Sequence, residues 1–355
     1  MQHHSTFINL ALSPFALLYG VITSLRNKLY DWQVLNSYAP TPPCIVVGNL
    51  SVGGTGKSPM IEYLIQFCID NHKTVTTISR GYGRSNRGYK EVQLNDTAQN
   101  VGDEPLQFKQ QFGNLCTVIV DEKRVHALHL LQPKETKNTV YLLDDALQHR
   151  AVKGSMNILL TNYSHLYIDD AMLPKGNLRE NKNSSKRAQI IIVTKCPAHL
   201  TITDENIIKK RLNVLAHQQL FFSTIQYHSL IRIGKTATTL ILTKSTNVIS
   251  FAGIANDALF VTYLNQQANV VQHFSFPDHY AYTPADIDAI TNAVNEQIPL
   301  KTIVVTTHKD AMRLLQNYIS FINEIEVYYL PTKMYFSPNE QQKFNQILLQ
   351  HVSTN

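Results

Sequence analysis

The stretch that decides the fold is VVGNLSVGGTGKSP, residues 46–59. A phosphate-binding P-loop reads G-x-x-x-x-G-K-[ST]; here the last three positions are Gly56, Lys57 and Ser58, while Ser51 replaces the first glycine. The apolar run before the loop predicts a strand, and the segment after it predicts a helix. Because strand, glycine loop and helix follow in the order that the motif requires, we predict a nucleotide-binding loop despite the serine.

The loop residues have distinct expected roles toward a nucleotide. Glycines let backbone amides approach the phosphates, the Lys57 ammonium reaches the β and γ phosphates, and the Ser58 hydroxyl is a ligand for Mg²⁺. The predicted nucleotide-binding set is Gly53, Gly54, Thr55, Gly56, Lys57 and Ser58. The alternative is a glycine-rich turn that binds nothing.

A pair of carboxylates points to the same chemistry. The apolar run TVYLL at 139–143 predicts a strand, and Asp144 and Asp145 follow it directly. Carboxylates at the end of a strand are typical of the Walker B element, which holds or orders Mg²⁺ in P-loop proteins. Without a P-loop, two such aspartates would more often be a loop or a helix cap. With it, we predict a Mg²⁺ site formed by Ser58, Asp144 and Asp145.

Short β-rich runs alternate with helical patterns along the chain. They lie at 44–47, 74–79, 117–120, 139–143, 157–160 and 190–194, and again at 248–253, 270–276, 302–307 and 327–330. This alternation predicts an α/β fold, a P-loop NTPase-like parallel sheet flanked by helices with a second, smaller α/β domain. An extended apolar segment near 221–233 marks the connection. The predicted boundaries are 33–227 for the P-loop domain and 228–355 for the smaller C-terminal domain.

Residues 1–32 are predicted to form an N-terminal amphipathic helix. Ser13-Pro14 is typical of a helix start, with the serine as N-cap. Beyond it, apolar residues recur at three- and four-residue spacing: Phe15, Leu18, Ile22, Leu25, Leu29 and Trp32. The segment is short for a membrane span and lacks the features of a secretion signal. Two interpretations remain open, a helix at a membrane interface and a helix that covers one face of a sheet.

The composition limits the number of domains, the kinds of partner and the redox environment that the sequence allows. A chain of 355 residues, 44% of them hydrophobic, is sufficient for about two domains. The excess of 32 Lys and Arg over 26 Asp and Glu gives a net charge of +6, which favours anionic partners such as phosphorylated small molecules, nucleic acid or an anionic membrane. Four separated cysteines indicate neither a disulfide framework nor a zinc site, and favour a reducing cytosol.

Several motifs together resemble one family. They are GNLSVGGTGKSP (48–59), SRGYGR (79–84), GDEP (102–105), DDALQHR (144–150), LPKGNLRE (173–180), VTKCP (193–197) and FPDHYAYT (276–283). Their order and approximate spacing are similar to those of tetraacyldisaccharide 4'-kinase, the lipid A kinase of Gram-negative bacteria. The resemblance runs from the N-terminal helix to at least residue 313, and seven motifs in one order are far more specific than any single one.

The resemblance implies a reaction and a subcellular location. Enzymes of this family use ATP and Mg²⁺ to phosphorylate the 4'-hydroxyl of tetraacyldisaccharide 1-phosphate, an acylated glucosamine disaccharide and lipid A precursor. It also implies a peripheral protein on the cytoplasmic face of the inner membrane, with the lipid surface as a partner and no nucleic acid.

A sugar hydroxyl loses its proton as it attacks the γ-phosphorus, so the site needs a base that is not a metal ligand. Asp103 in GDEP is the predicted base, and Lys57 the predicted catalytic lysine. The alternative for Asp103 is a helix N-cap. The resemblance pairs Asp103 with His279 of the second domain; on its own, His279 would be interpreted as an exposed turn histidine.

Further residues are predicted to contact the substrate. Arg80 and Arg84 flank Gly81-Tyr82-Gly83 just after a strand, where guanidinium groups suit the 1-phosphate of the substrate or a nucleotide phosphate; the alternative is a flexible basic loop. The other predicted substrate contacts are Gln148, His149, Arg179 and Glu180, which could equally support the site. Two positions depart from the family pattern: Asn181 stands where the family has proline, and His308 where it has an acid.

Two other classes of function share features with this sequence. A P-loop GTPase or metallochaperone-type ATPase would share the topology, but guanine specificity usually shows as Asn-Lys-x-Asp, and Thr194-Lys195-Cys196-Pro197 lacks the acid. A membrane-binding module with a vestigial nucleotide site would show damaged catalytic positions. Those positions are intact: Lys57, Ser58, Asp103, Asp144 and Asp145.

Overall fold

A computed structural model describes residues 6–234 and 238–353. The strands are β1 Cys44–Asn49, β2 Thr74–Ser79, β3 Lys90–Glu91, β4 Cys116–Val120, β5 Thr139–Leu143, β6 Met156–Asn162, β7 Ile190–Thr194, β8 Gln219–Phe222, β9 Thr224–Tyr227, β10 Leu230–Arg232, β11 Thr239–Leu240, β12 Asn247–Ala252, β13 Asn269–Ser275, β14 Thr302–Thr307, β15 Val327–Leu330 and β16 Thr332–Tyr335. The helices are α1 Thr6–Asp31, α2 Lys57–Asp70, α3 Ala98–Val101, α4 Asp103–Phe112, α5 Arg124–Leu131, α6 Ile202–Leu212, α7 Ala258–Gln267, α8 Pro284–Asn295, α9 His308–Asn317, α10 Ile319–Glu324 and α11 Pro338–Val352.

The described residues group into two compact units. The first contains the chain up to Arg80, then Leu115–Ile225, then Met334 onward; the second contains Gly81–Asn114 and Gln226–Lys333. The predicted domains 33–227 and 228–355 are each one continuous segment. In the structure, the first unit consists of three segments of the chain and the second of two. The physical reason for the difference at 81–114 is that α4 lies against α9 of the second unit.

The first unit is built on a parallel sheet with strand order β4-β2-β5-β1-β6-β7-β8. These strands are near-continuous apolar runs because they are buried on both faces, as is usual for parallel sheets. Parallel strands end at the same edge of their sheet. The chain therefore brings the residues after β1, β2, β4, β5 and β7 to one edge.

The second unit has its own sheet, with strand order β11-β10-β15-β14-β12-β13. Strands β12 to β15 are parallel, and β10 pairs antiparallel with both of its neighbours. Its core includes Val248, Phe260, Leu264, Ile303 and Val305. The expected α/β architecture with a second α/β unit is confirmed.

Helix α1 differs from the prediction at its start. The helix begins at Thr6 and continues through Pro14, whereas Ser13 was expected to be its N-cap. A proline inside a helix removes one hydrogen bond and crowds the carbonyl four residues earlier, but here the helix continues through it. Residues 1–5 of the predicted helix lie outside the described residues.

The apolar face of α1 is not in the core. Phe15, Leu18 and Ile22 are 63%, 59% and 57% exposed, and Leu25 and Trp32 are exposed as well. On the face turned to the rest of the first unit, Ala16 is buried and Tyr19 donates to the carbonyl of Arg179 (3.2 Å). In the described part of the chain, no helix is both long and apolar enough to cross a membrane.

Candidate functional site

The glycine loop lies between β1 and α2, as its motif requires. Gly56 occupies the N-cap of α2 with φ of 84°, a left-handed conformation that glycine adopts without strain. At the end of β1, a Cβ on Gly48 would come within 2.7 Å of the Leu147 Cβ, so only glycine fits there. The helix therefore begins at Lys57 with its free amide groups directed at the loop, which is the arrangement that binds phosphate.

Two neighbouring segments fix the loop. The amide of Val52 donates to the Asn177 carbonyl (2.8 Å), and the amide of Arg179 donates to the Leu50 carbonyl (2.8 Å). From the end of β7, the Thr194 hydroxyl donates to the Thr55 carbonyl (2.9 Å). The motifs LPKGNLRE and VTKCP thus both support the phosphate loop.

Asp145 lies between two cations. Its Oδ1 is 3.8 Å from the Lys57 Nζ, and Arg179 donates to both of its oxygens, at 2.7 and 3.0 Å. Burial raises the pKa of Asp145, but Lys57 and Arg179 outweigh burial and hold the pKa at about 2. Asp145 is therefore ionised at any physiological pH. The same Arg179 group also donates to the Asn49 side chain at the end of β1.

Asp144 is buried at the end of β5, and Ser58 is buried in the first turn of α2. Arg124 donates to the backbone carbonyls of Asp144 and Asp145, at 3.2 and 3.3 Å, and so fixes this turn. A hydroxyl and two carboxylates are oxygen ligands of the kind that Mg²⁺ prefers, and Mg²⁺ sites in kinases use only one or two carboxylates because phosphates complete the shell. The predicted set Ser58, Asp144 and Asp145 therefore has suitable donor chemistry.

The residues after the two aspartates face the same edge of the sheet. The Gln148 side chain donates to the Asn49 carbonyl (2.8 Å), so this amide supports β1. Burial, followed by the charges of Arg124, Arg26 and Arg80, lowers the pKa of His149 to about 4. His149 is consequently a neutral imidazole among cations.

The two arginines of SRGYGR have different surroundings. Arg80 is exposed just beyond β2, in the first unit. Arg84 donates to the carbonyl of Gly88 (2.7 Å), which closes its own loop in the second unit. Arg80 is the one whose charge reaches His149 and Arg124.

Glu180 is only 2% exposed. It accepts hydrogen bonds from Arg187 (2.5 Å) and from Asn27 of α1 (3.1 Å). This placement makes Glu180 a link between α1 and the loop that carries Arg179. It leaves little of the carboxylate for a substrate contact.

A second charged cluster lies within the second unit. The His279 Nδ1 is 3.1 Å from the Asp103 Oδ2, although the two residues are 176 positions apart. Arg313 of α9 donates to the same oxygen from Nε (2.8 Å) and Nη2 (2.6 Å). Beside them, Glu104 forms an ion pair with Lys309. The pairing of Asp103 with His279 is thus present in this structure, and Asp103 is also the first residue of α4.

The electrostatics of this pair are asymmetric. Burial would raise the pKa of Asp103, but the hydrogen bond from His279 and the charge of Arg313 outweigh it, and the net effect lowers the pKa. The hydrogen bond to Asp103 raises the pKa of His279, partly offset by burial. The carboxylate therefore stays ionised, while the imidazole titrates above its ordinary range.

Sequence reasoning missed Asn49, Arg124, Lys309 and Arg313. Asn49 and Arg124 had a usable signal, because Asn49 ends β1 and Arg124 begins the helix that follows β4, and α/β sites are built beyond the carboxyl ends of parallel strands. Arg313 had none: it lies one turn into a helix, and its partner Asp103 is 210 residues away.

Comparison with known proteins decides the family. The family model described as tetraacyldisaccharide-1-P 4'-kinase matches residues 8–353. The chain belongs to this family. It is therefore a kinase, and its reaction is the ATP-dependent phosphorylation of the 4'-hydroxyl of tetraacyldisaccharide 1-phosphate in lipid A synthesis.

Individual relatives agree along the whole length. The tetraacyldisaccharide 4'-kinase of Bacteroides thetaiotaomicron is 41% identical over 100% of this chain and 96% of the relative, and that of Flavobacterium johnsoniae is 41% identical over 97% of each. Among solved structures, the "apo" form LpxK from Aquifex aeolicus in complex with ATP matches with a TM-score of 0.74 at 27% identity, covering 97% of this chain and 99% of that one. The expected P-loop kinase fold and the use of ATP are confirmed.

Proposed function

We propose roles for two groups of residues in this phosphoryl transfer. The triphosphate would be held by the glycine loop, and the proton acceptor would be the pair Asp103 and His279; the loop residues are Gly53, Gly54, Thr55, Gly56, Lys57 and Ser58. The observation that carries the proposal is the placement of Lys57 at the start of α2, 3.8 Å from a strongly acidic Asp145. A cation held in this position can stabilise the negative charge that develops on the transferring phosphoryl group.

Ser58, Asp144 and Asp145 would hold Mg²⁺, which when bound neutralises charge on the β and γ phosphates. Asp145 is ionised throughout the physiological pH range, and each of its oxygens, although it accepts from Arg179, has a second lone pair that would bind the metal. Arg179 is then a residue that orients this carboxylate as much as a contact for substrate.

The pair Asp103–His279 would take the proton of the attacking hydroxyl. The sequence favoured Asp103 as the base, but its Oδ2 accepts from His279 and twice from Arg313, and its pKa is lowered, which makes it a weak base. The imidazole has the better-matched pKa, since an effective base titrates near the working pH. We therefore assign proton acceptance to the His279 Nε2, with Asp103 orienting the ring.

Arg80 is our choice for the anionic 1-phosphate of the substrate. It is exposed after β2, and its charge adds to burial and to the charge of Arg124 in lowering the pKa of His149. Guanidinium groups bind phosphate in a bidentate manner. Gln148 and His149 would complete this polar surface, whereas Arg84 is engaged by its own loop.

The reaction itself is tested with pure full-length protein, ATP and acylated disaccharide 1-phosphate in detergent. We expect a lipid product heavier by one phosphate, formed with MgCl₂ and abolished by excess EDTA. Mass spectrometry of the lipid measures it, and GTP in place of ATP is the nucleotide control. ATP hydrolysis without phosphorylated lipid would contradict the kinase proposal; EDTA-resistant turnover would contradict the Mg²⁺ site.

Helix α1 would hold the enzyme at the membrane surface, on the cytoplasmic face of the inner membrane. Its large apolar side chains are exposed, while Tyr19 and Asn27 make polar contacts on its inner side, which is not the pattern of a helix that covers a core. Such a helix inserts its apolar side between lipid headgroups. Cytoplasmic ATP and four buried free cysteines fit the reducing side of that membrane.

We predict that the double variant Leu18→Ser and Ile22→Ser lowers the vesicle-bound fraction. Both side chains are more than half exposed, so the fold is expected to persist. The loss of two inserted side chains is expected to weaken partitioning by about tenfold or more, from the free energy of burying aliphatic groups. Co-sedimentation with vesicles of phosphatidylethanolamine and phosphatidylglycerol measures the bound fraction.

The matched control is Ile202→Ser with Ile207→Ser, which removes two exposed isoleucines from α6 of the same unit. This control is expected to bind like the wild type. Equal losses in both double variants would mean that α1 has no special affinity for lipid. Deleting residues 1–32 is a harsher form of the test, because Asn27 and Tyr19 tie the helix to the first unit.

A further inference from the structure

Arg313 lies at the centre of the charged cluster in the second unit, and neither the sequence motifs nor the proposed chemistry gives it a role. Its side chain is only 9% exposed. A buried guanidinium is costly unless its donors are satisfied by hydrogen bonds and opposite charge. The contacts of the Arg313 guanidinium show what it contributes to Asp103.

One end of the guanidinium is anchored. Nη1 donates to the Asp310 Oδ1 (2.6 Å) and to the Gly253 carbonyl (2.9 Å). Asp310 is itself fixed, being fully buried and accepting from the hydroxyls of Tyr282 (2.8 Å) and Thr307 (2.6 Å). These contacts hold the Arg313 guanidinium in a single orientation.

The other edge of the guanidinium faces Asp103. Nε and Nη2 both donate to the Asp103 Oδ2, at 2.8 and 2.6 Å, and the same oxygen is 3.1 Å from the His279 Nδ1. The His279 amide in turn donates to the Gly253 carbonyl (3.1 Å), the acceptor that Arg313 also uses. Arg313 and His279 thus share one carboxylate oxygen, which the imidazole contacts, and one backbone carbonyl, to which the His279 amide donates.

A lysine in place of Arg313 could not make the same set of hydrogen bonds. An ammonium is a point charge, whereas the planar guanidinium donates along two edges at once. The neighbouring Lys309 does not compete for Asp103, because it is paired with Glu104. The arrangement is therefore specific to an arginine at this place in α9.

We infer that Arg313 is a positioning residue for the phosphoryl transfer, anchored by Asp310 and holding the Asp103 carboxylate in the orientation that aligns His279. The inference rests on the proposed function, since it acts through the Asp103–His279 pair. It predicts that Arg313 affects turnover only while Asp103 is present. A residue needed only for folding would affect turnover in either background.

The test is a double-mutant cycle on the full-length enzyme, with kcat and KM measured for ATP and for the acylated disaccharide. Arg313→Gln is expected to lower kcat about tenfold to a hundredfold, as is usual for residues that orient a reacting group. The KM for ATP should change less than about twofold, because no part of the P-loop is altered. In the Asp103→Ala background the same substitution should cause no further loss of kcat.

Arg313→Lys retains the charge without the two-edged geometry, so it should recover part of the kcat lost in Arg313→Gln. It is also the variant to use should Arg313→Gln lack a cooperative thermal transition, because the cycle with Asp103→Ala applies to it equally. Arg211→Gln removes an exposed arginine that pairs with Asp169 in the first unit, and should leave kcat unchanged.

Two outcomes would overturn the inference: a kcat of Arg313→Gln equal to that of the wild type, or equal fold-losses with and without Asp103. Failure of the proposed function has a different signature. In that case Asp103→Ala itself would turn over like the wild type, whatever Arg313 does.

Discussion

Lys57→Ala is expected to reduce turnover by at least about a hundredfold, the typical cost of losing one preorganised group that stabilises transition-state charge. The Lys57 Nζ reaches both the Asn49 side chain (3.4 Å) and Asp145 (3.8 Å), so its position over the loop is fixed. The ammonium is partly exposed, and the folded state should persist without it. Steady-state kinetics of lipid phosphorylation, together with thermal unfolding, measure both effects.

Lys137→Ala is the matched control, since it removes an exposed lysine from the same unit. It should leave kcat and the unfolding midpoint unchanged. Turnover of Lys57→Ala at the wild-type level would mean that the loop is not the reaction centre, whatever its sequence resembles. A lowered unfolding midpoint with proportionally lost activity would make Lys57 a structural residue instead.

Much of the first sheet could be predicted from the sequence, although β8 at Gln219–Phe222 overlaps a segment that was expected only to be extended. The runs at 74–79, 139–143 and 190–194 coincide with strands β2, β5 and β7. Strands buried on both faces are runs of apolar and β-branched residues without charges, so their boundaries show in the sequence. The P-loop was predictable for a similar reason, because its backbone geometry restricts residue choice at Gly48 and Gly56.

Features that depend on distant side chains could not be predicted in this way. The grouping of α4 with the second unit depends on ion pairs between Asp103 and Arg313 and between Glu104 and Lys309. No periodicity records a contact across 210 positions. The short strands β9 and β10 were likewise not distinguished within the segment near 221–233, which was expected only to be extended.

The departure at His308 has a local explanation. The imidazole stacks on the Tyr329 ring, with centroids 4.2 Å apart and an angle of 13° between the planes. Burial lowers the pKa of His308 to about 3, so the ring is neutral. A neutral stacked ring replaces the acid of the family pattern here, while the next two positions, Lys309 and Asp310, keep their ionic partners.

The second large effect is expected at the Asp103–His279 pair. Asp103→Ala, His279→Ala and the double variant should each lose about a hundredfold to ten-thousandfold in kcat, the usual contribution of a general base. Residues that act as one unit have non-additive losses, so the double variant should be no worse than either single variant. The affinity for ATP should change little, because neither side chain belongs to the phosphate loop.

A comparable pair in the same unit serves as the control. His273 contacts Asp257 (3.0 Å) and Ser250 (2.8 Å), so both ring nitrogens are engaged and neither is left to accept a substrate proton. His273→Ala is expected to lower stability and leave kcat unchanged. Losses at Asp103 and His279 that multiply would show that the two residues act independently.

The pH dependence of kcat separates the two roles within the pair. His279 must be neutral to accept a proton, so activity should rise with pH through its pKa, which Asp103 lifts above the ordinary value of about 6.5. The other charges that face the ring are Glu104 and Asp278, which raise its pKa, and Lys309, which lowers it. Asp103→Asn removes the largest of the raising effects, so the acid limb of the residual activity should move to lower pH. An acid limb that stays in place would assign proton acceptance to another group, whereas lost ATP affinity in Asp103→Asn would make this carboxylate a metal ligand.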